Sequence, residues 1–485
     1  MRMLLRFGFA IIMVITIAAA PVPAQQWSVV TAGGEFSLAV LSDGTLWGCG
    51  YNGNGQLGTG DTEERQTFVR LTEASDWADV EAGGFHTLAL KRDGTLWSFG
   101  LNGRGQLGHN DTDDRLTPTQ IGQDTDWIAI DAGYATSYAI KRDGSLWAWG
   151  YNPYGQVGNG ESGNQLEAPV QVAGDHEWAA VSAGGVHVLA VTRDGHLYSW
   201  GGGPNGQLGQ GTQVQFLSKP GLVDSTREWV SVSAGFEFSI GVTADGKLWS
   251  WGFNGNGQLG QGDYFERTEP TEITAVSEAW KRCESGSSFV YAFTDEDALY
   301  AWGANIHGQL GFNDAAERRI PEKVDSEIPW TDIAAAEGII SNQFIFGHHA
   351  LALHDDRQVI CVAGANYGYQ IGLPEPEPSV VFNCSIGDLT LDADLPDVRP
   401  QTLTLAAFPN PAQDRLVVRL EDHTGYGPTV ANVTLIDLLG RRHDVRYLTD
   451  TGQLVLDVGS LPRGQYFLRV VTKRGGFCTE RISLR

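Results

Sequence analysis

The sequence predicts an all-β protein, a seven-bladed β-propeller followed by a small C-terminal β-sandwich. Three observations carry that reading. Tryptophan recurs at Trp27, Trp77, Trp127, Trp178, Trp229, Trp280 and Trp330, in steps of 50 or 51 residues. Gln56, Gln106, Gln156, Gln207, Gln258 and Gln309 keep the same beat inside GQLG or GQVG, with a degraded seventh copy at Tyr369-Gln370-Ile371-Gly372. Asp-Gly pairs mark a tight turn in five copies, at Gly44, Gly94, Gly144, Gly195 and Gly246. A unit of this size cannot bury its own apolar face, and its repetition points to small sheets stacked radially.

Residues 1–24 read as a secretory signal. Arg2 and Arg6 precede an apolar run from Phe7 to Ala20, and Val22-Pro23-Ala24 supplies small residues for cleavage. The run is shorter than the roughly 20 residues needed to span a bilayer. No other stretch suggests a transmembrane span, so none is expected in the mature chain.

The propeller is placed at 25–390. In the first copy, Trp27 to Gly33, Ser37 to Leu41, Leu46 to Asn52 and Thr67 to Leu71 read as four strands. Asp43-Gly44 is a hairpin signal, with both turn residues expected at positive φ. Copies six and seven carry Asp297-Ala298 and Asp356-Arg357 instead, which predicts less regular hairpins. In an up-and-down sheet, loops one-to-two and three-to-four share one end. The long glycine loops therefore occupy the face opposite the Asp-Gly turns.

The repeated wording is illustrated by Gly83-Gly84-Phe85-His86-Thr87-Leu88-Ala89 and by Trp249-Ser250-Trp251-Gly252-Phe253-Asn254-Gly255-Asn256-Gly257-Gln258-Leu259-Gly260. It resembles the regulator of chromosome condensation family from residue 27 to about 390. The resemblance implies a seven-bladed propeller that binds other proteins through one face. Roles in that family range from nucleotide exchange on a small GTPase to inhibition of β-lactamases. Export argues against the exchange role here.

A proline-rich stretch at 374–378 leads to the last strand of blade seven, and 391–401 reads as a linker. Residues 402–485 contain alternating strands, such as Arg415 to Leu420 and Tyr466 to Val471, which suggest a β-sandwich. This tail carries Phe408-Pro409-Asn410-Pro411, Leu438-Leu439-Gly440-Arg441 and Leu461-Pro462-Arg463-Gly464-Gln465-Tyr466. It resembles the C-terminal sorting domain of the type IX secretion system. The resemblance implies that Pro409, Asn410, Pro411, Gly464 and Tyr466 belong to the sorting motif. It also implies contact with the secretion machinery, and release or surface attachment after loss of the signal and the tail.

Charge narrows the partner. Residues 25–401 hold 20 basic and 50 acidic side chains, a net of −30. So acidic a disc repels phosphate backbones, which excludes nucleic acid and favours a basic extracellular or surface protein.

Five cysteines are present. Cys283 takes a slot held elsewhere by Val or Ile and reads as a small hydrophobe. Cys361 replaces the first aromatic of strand three in copy seven. Cys384 follows on the next strand, so the two could pair in an oxidising compartment. The cysteine spacings match no zinc site, and no metal is expected. His86, His187 and His349 share a repeat position with Phe36, Thr136, Phe238 and Phe289, which favours packing over ligation. The glycine loops lack the helix and Lys of a phosphate cradle. The acidic loops, such as Asp111 to Asp114, lack calcium-loop spacing. No catalytic residue and no cofactor are implied.

Copy seven carries an apolar insertion of nine residues within 337–347. Its Ile339, Ile340, Phe344 and Phe346 join Phe85, Tyr134, Tyr154, Phe236, Tyr264 and Phe265 as the candidate partner-binding face, with Tyr151 and Phe253 nearby. The expectation is a secreted or surface-bound, non-catalytic propeller that binds a protein through its long-loop face. The alternatives are a carbohydrate-binding or adhesion module, and a hydrolase or lyase with a site at the channel mouth.

Overall fold

The computed structural model describes residues 26–326, 329–336, 348–354, 359–373 and 378–384, and the strands of the tail between 404 and 484. The predicted signal, the linker 391–401, Pro409, Asn410, Pro411 and the apolar insertion lie outside the described residues. The chain divides into two compact units, Met1–Leu389 and Thr390–Arg485. Among the described residues no helix is long and apolar enough to cross a membrane.

The first unit is a seven-bladed β-propeller. Each blade is a four-stranded antiparallel sheet built from one continuous stretch of chain. Blade one uses Trp27–Ala32, Phe36–Leu41, Leu46–Gly50 and Arg65–Arg70, and blade seven uses Trp330–Ala335, His349–His354, Ile360–Gly364 and Ser379–Asn383. First strands of neighbouring blades touch around the whole ring, blade one against blade seven included. Strand one therefore lines the axis and strand four forms the rim.

The repeated tryptophan opens strand one and is buried in every blade. In blades one to six its partner is the first aromatic of strand three. The Trp77–Trp97 and Trp127–Trp147 rings meet edge to face at 5.9 and 6.2 Å. Burying a side chain of this size is worth roughly 1.5–3 kcal/mol, and edge-to-face geometry adds about 0.5–1.5 kcal/mol.

The Asp-Gly turns depart from the expected geometry. Only the glycine has positive φ, +85° at Gly44. The Gly44 N–H donates to the Leu41 carbonyl at 2.8 Å and the Leu41 N–H to the Thr45 carbonyl at 3.0 Å, a type I turn closed by a left-handed glycine. Asp43 stays right-handed because its carboxylate caps the turn, accepting the Thr45 N–H at 2.9 Å.

Copy six is also more regular than its sequence suggests. Asp297, not Ala298, takes the glycine place with φ +59°, and its N–H meets the Thr294 carbonyl at 2.9 Å. Aspartate tolerates this left-handed conformation better than most residues.

Blade seven corrects the insertion length. Ile333 pairs with Ala352 as Val80 pairs with Ala89, which aligns Ala335 with Ala82. The loop between Ala335 and His349 is therefore ten residues longer than that between Ala82 and His86, not nine.

In the tail the strands form two four-stranded antiparallel sheets. One holds Thr404–Phe408, Arg415–Glu421, Gln453–Asp457 and Tyr447–Asp450. The other holds Arg442–Asp444, Val430–Asp437, Gly464–Thr472 and Phe477–Leu484.

Candidate functional site

The two ends of the disc are built differently. At the long-loop end, the chain leaving strand three hydrogen-bonds to the loop between strands one and two. The Tyr51 N–H donates to the Glu35 carbonyl, Leu101 to Phe85, Tyr151 to Ala135 and Phe253 to Glu237, each at 2.9 Å.

Within each glycine loop the polar groups are turned inward. Buried Asn102 accepts the Leu107 N–H at 2.9 Å and donates to the Asp111 carboxylate at 3.0 Å. Gln106 Oε1 accepts the Arg104 N–H at 2.8 Å. Arg115 pairs with Asp111 at 2.6 Å, as Arg65 does with Asp61 at 2.7 Å and Arg318 with Asp314 at 2.9 Å. The Arg65 and Arg318 guanidiniums hold the carboxyls of Asp61 and Asp314 below their ordinary values. The loop amides and acids are thus committed to the loop's own geometry.

The glutamine of GQLG also latches adjacent blades. The Gln106 carbonyl accepts Ser137 Oγ and Trp149 Nε1 of the next blade, both at 2.8 Å. Gln207 does the same for Ser239 and Trp251. The aligned histidines complete these latches. His86 Nε2 lies 2.9 Å from Ser137 Oγ, and His187 Nε2 lies 2.8 Å from Ser239 Oγ. The hydroxyl donates to the glutamine carbonyl and so accepts from Nε2–H. Burial pushes these imidazoles down to about 3, so they are neutral.

The candidate aromatics fall at two radii. Phe85, Tyr134 and Phe236 are half-buried at the mouth of the axis. Phe85 meets Tyr51 edge to face at 6.1 Å. Tyr134 and Phe236 lie over Gly84 and Gly185 of the preceding blades, where a Cβ would come within 2.6 and 2.1 Å of the rings. Tyr151 lies under the Arg104 guanidinium, 5.0 Å away. Tyr154, Tyr264 and Phe265 are exposed, Phe265 to 73%. The Tyr264 hydroxyl donates to the Glu317 carboxylate of blade six.

Two exposed residues escaped the sequence reading. Ile306 and Tyr367 are 60% and 57% exposed. Each directly follows the loop asparagine, where other copies have Gly53, Gly103 or Gly255. Aligning the loops residue by residue would have found them. His307 lies between Tyr367 and His348, with ring centroids 5.6 and 5.3 Å away. Phe265, Ile306 and Tyr367 belong to three consecutive blades.

Along the axis, strand one contributes Thr31, Glu81, Asp131, Ser182, Ser233 and Glu284 from blades one to six. They tie neighbouring strands together. Thr31 Oγ1 donates to Glu81 at 3.0 Å, and Asp131 accepts the Ala183 N–H at 2.5 Å. Burial raises Asp131 to about 7 and Glu284 to about 8, and raises Glu81 well above the usual range with help from the neighbouring carboxylates.

The turn face carries more than tight turns. In several blades a cation or imidazole sits on the aromatic pair. Lys91 lies 4.9 and 4.6 Å from the Trp77 and Trp97 rings, Lys141 lies 4.7 Å from Trp127, and Arg227 lies 4.0 Å from Trp249. In blade four, His176 packs on Tyr198 at 4.5 Å. Shallow depressions of about 350 and 310 Å³ lie between blades five and six, lined by Asp245, Glu278, Trp280, Lys281 and Asp295 among others.

Blade seven fills that slot with other chemistry. His354 stacks on Trp330 at 4.0 Å and 16°. Cys361, in place of the strand-three aromatic, is disulfide-bonded to Cys384. His354 Nε2 lies 3.5 Å from Cys384 Sγ, and the three potential ligand atoms lie within 4.8 Å of one another. In the tail, Gly464 and Tyr466 lie on the strand Gly464–Thr472.

Comparison with known proteins agrees with this architecture. The profile of the RCC1-like domain matches residues 15–290, that of the regulator of chromosome condensation (RCC1) repeat matches 296–339, and that of the secretion system C-terminal sorting domain matches 406–484. The chain is 35% identical over 152 residues to the human E3 ubiquitin-protein ligase HERC2, covering 30% of this chain and 3% of that one. It is 34% identical over 154 residues to the Arabidopsis thaliana ultraviolet-B receptor UVR8, covering 31% and 35%. It is 33% identical over 212 residues to the Arabidopsis RCC1 domain-containing protein RUG3, mitochondrial, covering 41% and 46%. The chain thus spans less than half the length of each of these relatives. Among solved structures, human WBSCR16 superposes with a TM-score of 0.60 at 24% identity, covering 64% of this chain and 85% of that one. Yeast RCC1 (Prp20), in a complex with Kap60, gives 0.60 at 20% identity, covering 74% and 84%. At these identities the structures share the fold.

Proposed function

The chain belongs to the RCC1-like domain family, and from that premise we propose that it is an exported, non-catalytic propeller that binds another protein through its long-loop face. The sorting-domain match at 406–484 supports secretion or a cell-surface location and contact with the secretion machinery. On this reading the two sheets of the tail are the faces of a β-sandwich. Pro409, Asn410, Pro411, Gly464 and Tyr466 serve recognition, and the signal at 1–24 and the tail are removed.

The observation that carries the binding reading is the run of exposed apolar side chains Phe265, Ile306 and Tyr367 on one face of consecutive blades. All three lie outside the buried core, and such anchors supply most of the energy of a protein interface. The −30 charge of residues 25–401 favours a basic partner. The comparisons offer a parallel in yeast RCC1, which Kap60 binds.

The test is capture from outer-membrane and culture-supernatant fractions with the mature propeller and its Phe265→Ala/Tyr367→Ala variant. A protein held by the first and lost by the second supports the reading. Binding to a glycan array with no protein captured would replace it with the carbohydrate or adhesion module.

A second reading, a hydrolase or lyase with a site at the channel mouth, rests on Asp131 and Glu284. They are raised to about 7 and 8, so each can hold or give a proton near neutral pH. Turnover of a glycoside or uronide substrate abolished by Glu284→Gln would support it.

A further inference from the structure

We propose that reduction of the Cys361–Cys384 disulfide converts the blade-seven slot into a Cys2His site for a thiophilic divalent ion such as Zn2+, and that re-oxidation expels the ion. The slot is the one that blades two to five fill with an ammonium, an imidazole or a guanidinium lying on an aromatic pair. Blade seven brings instead one imidazole and two sulfurs, with their ligand atoms within 4.8 Å.

The geometry suits a tetrahedral ion. Zinc sits about 2.3 Å from thiolate sulfur and about 2.0–2.1 Å from imidazole nitrogen, which separates the two ligand atoms by about 3.5 Å. His354 Nε2 already lies 3.5 Å from Cys384 Sγ. The two sulfurs must part to about 3.7 Å for the same geometry. Cys361 is buried and held in the strand Ile360–Gly364, whereas Cys384 is exposed just beyond Ser379–Asn383. Cys384 is therefore the ligand that moves. His354 is fixed by its stacking on Trp330 and by its place opposite Trp330 in the sheet. A water completes the coordination on the exposed side.

The chemistry balances. A dithiol reductant supplies two electrons and two protons to the S–S bond, becoming a disulfide itself and leaving two thiols. Zinc binding then releases both thiol protons, and the imidazole nitrogen contributes its lone pair without losing a proton. A disulfide oxidant reverses the sequence, accepting the two electrons and freeing the ion. Both states clamp strand four of blade seven to strand three, so the last propeller strand stays anchored while the bridge is exchanged. The free cysteines Cys49 and Cys283 are buried in blades one and six and take no part.

The test uses the full chain, reduced with a phosphine, freed of metal and titrated with Co2+ and then Zn2+. The reduced protein is expected to bind one Zn2+ per chain and to show thiolate-to-cobalt charge transfer, and the oxidised protein to do neither. His354→Ala should weaken Zn2+ binding at least tenfold. Cys384→Ser, at an exposed position, should lose most of the charge-transfer band while melting as the reduced, metal-free wild type does. Cys478→Ser, in the C-terminal tail and outside the propeller sequence, should behave as the wild type. Absence of Zn2+ uptake by the reduced chain, unfolding on reduction, or an unchanged band in Cys384→Ser would each overturn the proposal.

Discussion

His349 Nε2 lies 2.9 Å from Ser37 Oγ, a contact between residues 312 positions apart that closes the ring. Ser37 donates its own proton to the Gln370 carbonyl at 2.6 Å. The same hydroxyl, imidazole and glutamine carbonyl recur between blades two and three and between blades four and five. No strand is exchanged at the seam, so blade seven meets blade one through this latch and the apolar cluster of Trp27, Phe68, Leu351, Leu353 and Ile371.

Breaking the latch on one side should cost more than removing it. Ser37→Ala strands the buried His349 Nε2–H and leaves the Gln370 carbonyl with the Cys49 thiol, 3.5 Å away, and should destabilise the propeller by about 1–3 kcal/mol. His349→Phe borrows the residue used in blades one, five and six, and should recover part of that loss in the Ser37→Ala background. Urea unfolding of the four members of the cycle measures the coupling. Additive losses would show that the contact contributes nothing.

Acid should loosen the ring. His86, His187 and His349 are held at about 3 by burial, against about 6.5 when unfolded. The unfolded chain takes up these protons first. Their contribution is therefore complete above about pH 6.5 and is lost as pH falls towards 3, with each group costing about 2 kcal/mol at pH 5. Replacing all three with Phe should flatten the melting temperature between pH 7 and 5.

The axial carboxylates act in the opposite direction. Glu284 and Asp131 are raised by burial to about 8 and 7, so the folded state binds more protons than the unfolded one. Stability is lost as pH rises from their ordinary range near 4 through those values. Glu284→Gln should raise the melting temperature at pH 8.5 and leave it almost unchanged at pH 4. Equal gains at both values would mean that the carboxylate is not protonated in the fold.

The glycine loops should depend on their asparagine. Asn102→Ala leaves the buried Leu107 N–H without its acceptor and should cost about 1–3 kcal/mol in chemical denaturation. Asn102→Asp keeps the acceptor but places a charge beside Asp111, and should be little better.

Partner binding should follow the long-loop face. Phe265→Ala or Tyr367→Ala is expected to weaken affinity by about 2 kcal/mol, close to thirtyfold, with no change in melting temperature. Asp93→Asn on the turn face preserves the turn's acceptor and should leave affinity unchanged. Calorimetry with the captured partner decides, and sensitivity only at the turn face would reverse the assignment.

The sequence by itself determined the blade count, the strand order within each blade and the end of the disc that carries the long loops. These depend on local periodicity, turn residues and parity, all of which repeat along the chain. It also placed Cys283 in an apolar slot and read the aligned histidines as packing, because their exchange with Val, Ile or Phe was visible. Tertiary structure decided what lies between repeats. Which hydroxyl meets which imidazole, which acids share the axis, and that Tyr134 and Phe236 lie over a neighbour's glycine all depend on contacts about 50 residues or more apart, which spacing along one chain does not encode. Asp297 was misaligned because a left-handed backbone is set by register, not by the residue's name. The pairing of Cys361 with Cys384 was legible from their places on successive strands, but the approach of His354 to them was not, for the same reason. The three come from different strand ends, and only the pairing of the seventh sheet brings them to one point.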